Sequence, residues 1–431
     1  MKRAVSVLTS LLAAGVWPAV PLTGYVIFLQ PRPLDVAGCP ALTRWALSVV
    51  AGLAVWSVPL LGTAMLGVYR PVYLGVAGWA AVFGAALAIS GRRATGSASA
   101  ASASPGTRWQ PPAVSVSDAA LFIGLGVVAL LYLGYPNESI YGGRDEGIYA
   151  NHAIYLAHHG RLDVPYPWPS AAGDFFAPRW EGFSGLYQTP GTMTVQFSPL
   201  LPVWLGQAFA TFGHHGLFRL NAVFALLSLA VFYGMCVAFV RAPIAVVATL
   251  FLAFNPGELW VARITLSEVL AQLCIWSGLL LLTRTLAQLQ TRGTTPSSDE
   301  RATTRPRASR RSEADGSPLA WWAGVCFALA AFVRFDSFLL LPILLLAEVA
   351  MHLTSASPAL TRVAWKKMYQ TALPLFVLAL AYFFTVSRPY VIGRPYLREL
   401  AVASVAAGGC AYWWPRARSS GCGVWCALAR R

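Results

Sequence analysis

The chain alternates between long apolar runs and short polar breaks, and the lengths of the runs set the first expectation. A helix needs about 20 apolar residues to cross a bilayer. Runs of that order occupy 4–29, 45–68, 71–90 and 119–135, then 220–240, 242–254 with some extension, 260–282, 318–333, 337–353 and 369–386. The run 199–212 is too short to span and reads as an interfacial helix. This pattern predicts an all-α, polytopic integral membrane helix bundle with about nine to eleven spans. One segment, 136–198, is polar and aromatic and too long for a bare connector, so it reads as a large functional loop carrying short interfacial helices.

The breaks divide the chain. N-terminal helices cover 1–90, and a Ser/Ala/Gly-rich segment, 91–118, reads as a flexible linker. The core spans 119–386, with a second linker at 283–317, and 387–431 is an atypical tail. The second linker holds Arg284, Arg292, Arg301, Arg305, Arg307, Arg310 and Arg311, which marks it as cytoplasmic. Alternation then keeps 91–118, Arg241 and the segment with Arg362, Lys366 and Lys367 on the same inner side. It exports 136–198, 255–268 and 334–336. Acids outnumber arginines in 136–198, as an exported loop allows. Lys2 and Arg3 would fall outside if all four early spans cross, against the positive-inside rule. A cleaved signal peptide over 4–29 would ease that conflict, but Pro18 and Pro21 interrupt it and no A-x-A site follows, so a retained anchor is the preferred reading.

Composition narrows the function classes. Hydrophobic residues make up 57% and charged residues 11%, against roughly 25% charged in soluble domains, so a water-soluble globule is excluded. The net charge, 32 − 17 = +15, is scattered between apolar runs instead of forming basic stripes. Nucleic acid is therefore not a partner, and the charge reports topology. Seven cysteines, mostly inside apolar runs, form no disulfide framework, and Cys422 with Cys426 lacks the second pair a zinc site needs.

Candidate chemistry concentrates in Gly142-Gly143-Arg144-Asp145-Glu146-Gly147-Ile148-Tyr149-Ala150-Asn151-His152 and the residues after it. Ile148, Tyr155 and Leu156 recur at helical spacing and Gly160 suits a C-terminal cap, so Asp145 and Glu146 open a helix. Acids there complement the helix dipole, a purely structural role. They also follow a span directly, in a loop that holds Tyr141, Tyr166, Trp168, Phe175, Phe176, Trp180, Phe183 and Phe197. Carboxylates beside aromatic faces suit sugars, and aromatics also suit a membrane interface.

The G-G-R-D-E-G-I-Y-A run after a span, then Phe197-Ser198-Pro199-Leu200-Leu201-Pro202, Arg219-Leu220-Asn221, Asn255-Pro256 to Arg263, and Ser267-Glu268 together resemble the GT-C superfamily of membrane glycosyltransferases. The similarity is to its polyprenyl-phosphate-sugar-using branch, related to protein O-mannosyltransferases and aminoarabinose transferases, and covers 119–386. The resemblance implies a polyprenyl-phosphate sugar donor, a glycan, lipid or protein acceptor in the cell envelope, and a multi-pass place in the cytoplasmic (inner) membrane among its lipids. It matches Asp145 and Glu146 to the family's essential acidic pair and Glu268 to its second acidic site. Relatives usually carry Lys or His near the turn that here reads Gln196-Phe197-Ser198-Pro199-Leu200, so the sugar preference does not transfer.

The expected reaction is inverting transfer. An acceptor hydroxyl loses its proton to Asp145 as it attacks the anomeric carbon. The leaving phosphate needs fixed cations and no general acid, unlike glycoside hydrolysis. Arg144, Arg263 and Arg334 carry guanidinium forks suited to it, and Tyr149, His152 and Asp336 complete the binding candidates. An Arg334–Asp336 pair could equally just turn a helical hairpin. No metal or cofactor is required; if a divalent cation (Mg or Mn) bridges to the phosphate, Asp145, Glu146 and Glu268 are the expected ligands. His158-His159 and His214-His215 point to different sides of a helix and chelate poorly. The rival readings are a secondary transporter or lipid flippase, which would place polar groups near the midplane, and a non-catalytic scaffold. Beyond Arg388 the tail ends in Arg416-Ala417-Arg418-Ser419-Ser420-Gly421-Cys422-Gly423, which reads as a truncated or frame-shifted end.

Overall fold

A computed structural model describes residues 2–28, 39–99, 115–140, 144–165, 186–189, 192–195, 197–294, 318–354, 358–387 and 395–419. The protein is all-α. Fourteen helices follow in order among the described residues: α1 (Lys2–Ala13), α2 (Val16–Phe28), α3 (Ala41–Met65), α4 (Pro71–Ser99), α5 (Val116–Gly134), α6 (Asp145–His159), α7 (Leu200–Val237), α8 (Ala242–Ala253), α9 (Pro256–Val261), α10 (Glu268–Thr294), α11 (Leu319–Val333), α12 (Leu340–Thr354), α13 (Pro358–Thr385) and α14 (Pro395–Ser419). Seven segments are helical, long and apolar enough to cross a membrane, and 71–87, 242–253 and 319–333 are shorter apolar helices. It is thus a multi-pass membrane helix bundle. The contacts divide it into unit 1 (Met1–Leu280) and unit 2 (Leu281–Arg431).

The sequence sets the helix ends. Proline, whose fixed φ suits the first turn and whose missing N–H costs nothing there, opens α4, α9, α13 and α14. Ser115 and Asp118 close a reciprocal capping box on α5. Outward-facing positions are apolar, as at Val58, Phe122, Phe251 and Leu346, which fits surfaces solvated by lipid. Two helices outrun their apolar runs: α4 continues to Ser99 and α10 to Thr294. The α10 extension is rich in Leu, Gln, Ala and Arg, which are good helix formers; the α4 extension, with Gly91, Gly96, Ser97 and Ser99, is not accounted for by propensity. The rest of the two linkers and the end of the tail, with Cys422 and Cys426, lie outside the described residues.

Unit 1 is tied by very close helix crossings. A Cβ on Gly24 would collide with the Ser48 backbone, and one on Gly52 with the Val20 backbone, so α2 and α3 meet main chain to main chain. As one straight rod, the 38 residues of α7 would measure about 57 Å, nearly twice the hydrocarbon thickness. They do not form a straight rod. Gly213, at φ 61° and ψ −149°, breaks the helix, and the chain folds back so that Gly216 packs against Ala208. The first arm, 200–212, is largely buried against neighbouring helices, and the second arm has spanning length. The break matches the expected division between a short helix at 199–212 and a span from 220.

Among the described residues, the loop between α5 and α7 holds one helix, α6, and a small antiparallel sheet. Its strands are β1 (Val164–Pro165), β2 (Leu186–Thr189) and β3 (Thr192–Val195). They are ordered β1-β3-β2 with Val164 opposite Met193 and Leu186 opposite Val195.

In unit 2, α11 and α13 pack closely, and a short 3-10 turn, Phe335–Leu339, joins α11 to α12. Phe335 meets Phe383 edge-on at 4.7 Å, and Phe338 meets Phe376 at 5.6 Å, which anchors that turn on α13.

Candidate functional site

The acidic opening of α6 is built by local rules. Arg144 is its extended N-cap, Asp145 and Glu146 sit in the first turn, and Gly160 ends it in the left-handed conformation at φ 76°. Ile148, Tyr149, His152, Ala153 and Leu156 form its buried stripe, set on the first arm of α7, where Gly206 lies close to the Ala153 carbonyl. Tyr149 stacks on Phe197 at 4.6 Å. His152 Nε2 is 3.0 Å from the Leu162 carbonyl, so that nitrogen carries the proton and donates. Burial pushes the His152 pKa down to about 4, with the Leu162 bond opposing. Tyr149 and His152 thus face the interior of unit 1, while Arg144 and Asp145 are exposed and Glu146 is half-buried.

A second element is fastened to this opening. After α9, whose N-cap Asn255 accepts from Gly257 N, the chain turns through Arg263–Ser267. Asn221 Nδ2 on α7 donates to the Ile264 and Leu266 carbonyls, both at 2.6 Å. Arg263 Nε donates to Tyr135 O at 2.5 Å, and Asn137 N donates to Arg263 O at 2.7 Å. Thr265 Oγ1 donates to Glu146 O at 2.6 Å. The ends of α5, α6 and α9 and the start of α10 therefore share one end of unit 1. Arg144, Asp145, Glu146, Arg263 and Glu268 lie on those helix ends and that turn. Arg334 and Asp336 lie in unit 2 and pair with each other, Nη2 to Oδ2 at 2.9 Å, as the turn-forming alternative foresaw.

Residues missed as individuals extend that end of unit 1 inward. Gln272 Nε2 lies 3.3 Å from Glu258 Oε1 and 3.1 Å from Ser228 Oγ. Glu258 is buried, which pushes its carboxyl above the usual range, and the Gln272 amide partly opposes this. The signal was spacing: Glu268 and Gln272 sit four apart, and Asn221 and Ser228 seven apart, in otherwise apolar runs, so each pair shares a helix face. Arg219, quoted only within a motif, holds the end of α5 through Leu133 O at 3.0 Å.

The histidine pairs pack on rings. His159 stacks on Tyr155 at 4.4 Å, and His158 and His214 both meet Phe209. Among the described residues no three His, Cys, Asp or Glu side chains gather to hold a metal ion. Tyr141, Gly142, Gly143, Tyr166, Trp168, Phe175, Phe176, Trp180, Phe183 and Gln196 lie outside the described residues. In comparisons with known proteins, no family model, curated protein or solved structure matches this chain.

Proposed function

We propose that the protein is an inverting membrane glycosyltransferase that moves a sugar from a polyprenyl-phosphate donor to a cell-envelope glycan, lipid or protein at the outer face of the cytoplasmic membrane. The observation that carries this reading is the Thr265–Glu146 bond. It fastens the acidic opening of α6 to the turn holding Arg263 and Glu268, at the end of a bundle whose helices can cross a membrane. Carboxylates and guanidinium groups at such a rim suit a substrate whose lipid tail lies in the bilayer and whose sugar phosphate lies at its surface.

In this mechanism Asp145 is the base. As the acceptor oxygen forms its bond to the anomeric carbon, its proton passes to the Asp145 carboxylate, and the bond from that carbon to the donor phosphate oxygen breaks. The electron pair leaves on the phosphate. Arg144 and Arg263 stabilise that charge, Arg263 being oriented through its Nε bond to Tyr135 O. Glu146 and Glu268 are assigned to the sugar hydroxyls.

A transporter or lipid flippase is the second reading, favoured by one observation: Asn221 and Ser228 are fully buried polar positions, with Gln272 reaching in beside them. Membranes carrying the protein, incubated with a panel of radiolabelled polyprenyl-phosphate sugars, separate the two. Label passing into an acceptor fraction supports the transferase. Uptake driven by an ion gradient, without any transfer, supports the rival.

A further inference from the structure

One face of α13 in unit 2 changes character along its length, and the proposed reaction does not use it. Arg362, Lys366, Gln370, Val377 and Ala381 follow at steps of four, four, seven and four, which keeps them on one side of the helix. Lys366, Gln370, Val377 and Ala381 are exposed and Arg362 is half-buried. The face therefore passes from two cations through an amide to apolar side chains. From Arg362 to Val377 it runs about 22 Å, the depth of one bilayer leaflet with its headgroups.

Neighbouring groups fix the level at which the charge ends. No charged residue occurs between Lys367 and Arg388, so the hydrocarbon part of this spanning segment begins just past Lys367. Lys367 Nζ lies 5.7 Å over the Trp321 ring, and Trp321 is 49% exposed. Thr371 Oγ1 donates to Trp321 O at 2.9 Å, which holds that indole beside α13. An ammonium over an exposed indole at the end of a span marks the polar boundary. The charge there is not balanced. The sequence has no acidic residue from Val349 to Arg398, and Lys366 belongs to none of the ion pairs among the described residues. Glu348 on α12 lies within electrostatic reach of Arg362 and is hydrogen-bonded to Tyr369, so it offsets at most one cation. Arg362 places a single nitrogen, Nη2, against His352 Nε2, at 3.2 Å, and a guanidinium has five N–H donors.

We propose that this face binds an anionic glycerophospholipid. Its phosphate and headgroup lie on Arg362, Lys366 and Lys367, its ester region beside Gln370, and an acyl chain along Val377 and Ala381. A soluble anion would need the cations alone, and the apolar continuation of the same face calls for a lipid. A choline headgroup carries its own cation, which these basic side chains repel, whereas a glycerol headgroup leaves the lipid net negative.

The test is native mass spectrometry of the full-length protein offered equal amounts of glycerol and choline phospholipids with identical chains. The wild type should retain the glycerol lipid over the choline lipid by about tenfold or more, and Lys366→Gln or Lys367→Gln should each lower that ratio by about fivefold. Arg241→Gln, which removes an exposed cation of unit 1, should change it by less than about twofold. Equal retention of the two lipids by the wild type overturns the site. So does an effect of Arg241→Gln as large as that of Lys366→Gln, since the attraction then belongs to the whole basic surface. Should the lysine variants fail to fold, the wild type in rising ammonium acetate decides. A preference that falls as ions screen the cations supports the assignment, and a preference indifferent to salt refutes it. Soluble glycerophosphoglycerol at millimolar concentration should not displace the lipid. If it does, the occupant is a free anion and the lipid assignment fails.

Discussion

Lowering the pH should weaken the packing of α6 on the first arm of α7 through one residue, His152. Its ring is 5% exposed, Nε2 donates to Leu162 O, and Nδ1 is buried without a hydrogen bond. The folded protein therefore has no place for a second ring proton, and burial pushes the pKa to about 4 from the ordinary 6.5. The unfolded chain protonates near 6.5. Above that pH neither state carries the extra proton, and stability is flat in this respect. Between 6.5 and 4 the unfolded state binds a proton that the folded state refuses, so stability falls as the pH falls, by up to about 1.4 kcal/mol per pH unit. Across the window this amounts to roughly 3 kcal/mol. The assay is thermal unfolding of purified protein from pH 4 to 8, for the wild type and His152→Gln, whose amide can still donate to Leu162. Carboxylates that titrate in both proteins cancel in the difference. Wild-type stability minus variant stability should be level above pH 6.5 and drop below it. Parallel curves over the whole range would refute the assignment of a buried, neutral His152.

Other expectations follow from the rim and the corner. Thr265→Val removes the bond to Glu146 O and should cost about 1 kcal/mol of stability, while sugar transfer falls by about tenfold or more because the two acidic elements lose register. Unchanged transfer would show that the link does not position the site. Gly213→Ala forces a side chain into a backbone region open essentially to glycine alone and should cost about 1–3 kcal/mol. Gly62→Ala, in α3 with nothing within 4 Å of the added carbon, should be neutral or stabilising by up to about 1 kcal/mol, and equal effects at the two sites would contradict the corner. Glu258→Gln, which keeps an acceptor for Gln272 Nε2, should shift stability by less than about 1 kcal/mol. Glu258→Ala, which removes one of the two acceptors of Gln272 Nε2 and leaves Ser228 Oγ, should cost about 1–3 kcal/mol in a denaturation series.

Much of the fold was legible because each physical constraint left a one-dimensional trace. Hydrocarbon thickness fixed the lengths of the apolar runs, and the Gly213-His214-His215-Gly216 break divided α7 where the corner forms. Asp145, Glu146 and Gly160 marked the two ends of α6. The inward turn of Tyr149 and His152 was less visible. The small residues Gly147, Ala150 and Ala153 let α6 approach α7 closely, and polar or aromatic neighbours then join the buried stripe; hydropathy alone ranks them as surface residues. The sheet of β1, β2 and β3 was hidden because strands of two to four residues are too short for an alternating pattern to stand out. Glu258 was hidden for another reason. On a six-residue helix no periodicity tells a buried carboxylate from an exposed one, and its partner Gln272 comes from a different helix.

The central claim is that the Asp145 carboxylate takes the acceptor proton. The direct measurement is the rate of label transfer from radiolabelled polyprenyl-phosphate sugars in membranes carrying equal amounts of wild type or Asp145→Asn, a variant that keeps the shape of the side chain and removes its basicity. Loss of transfer by about 100-fold or more, with donor binding and thermal stability retained, is the expected result. Label appearing at the same rate in both membranes would contradict the account.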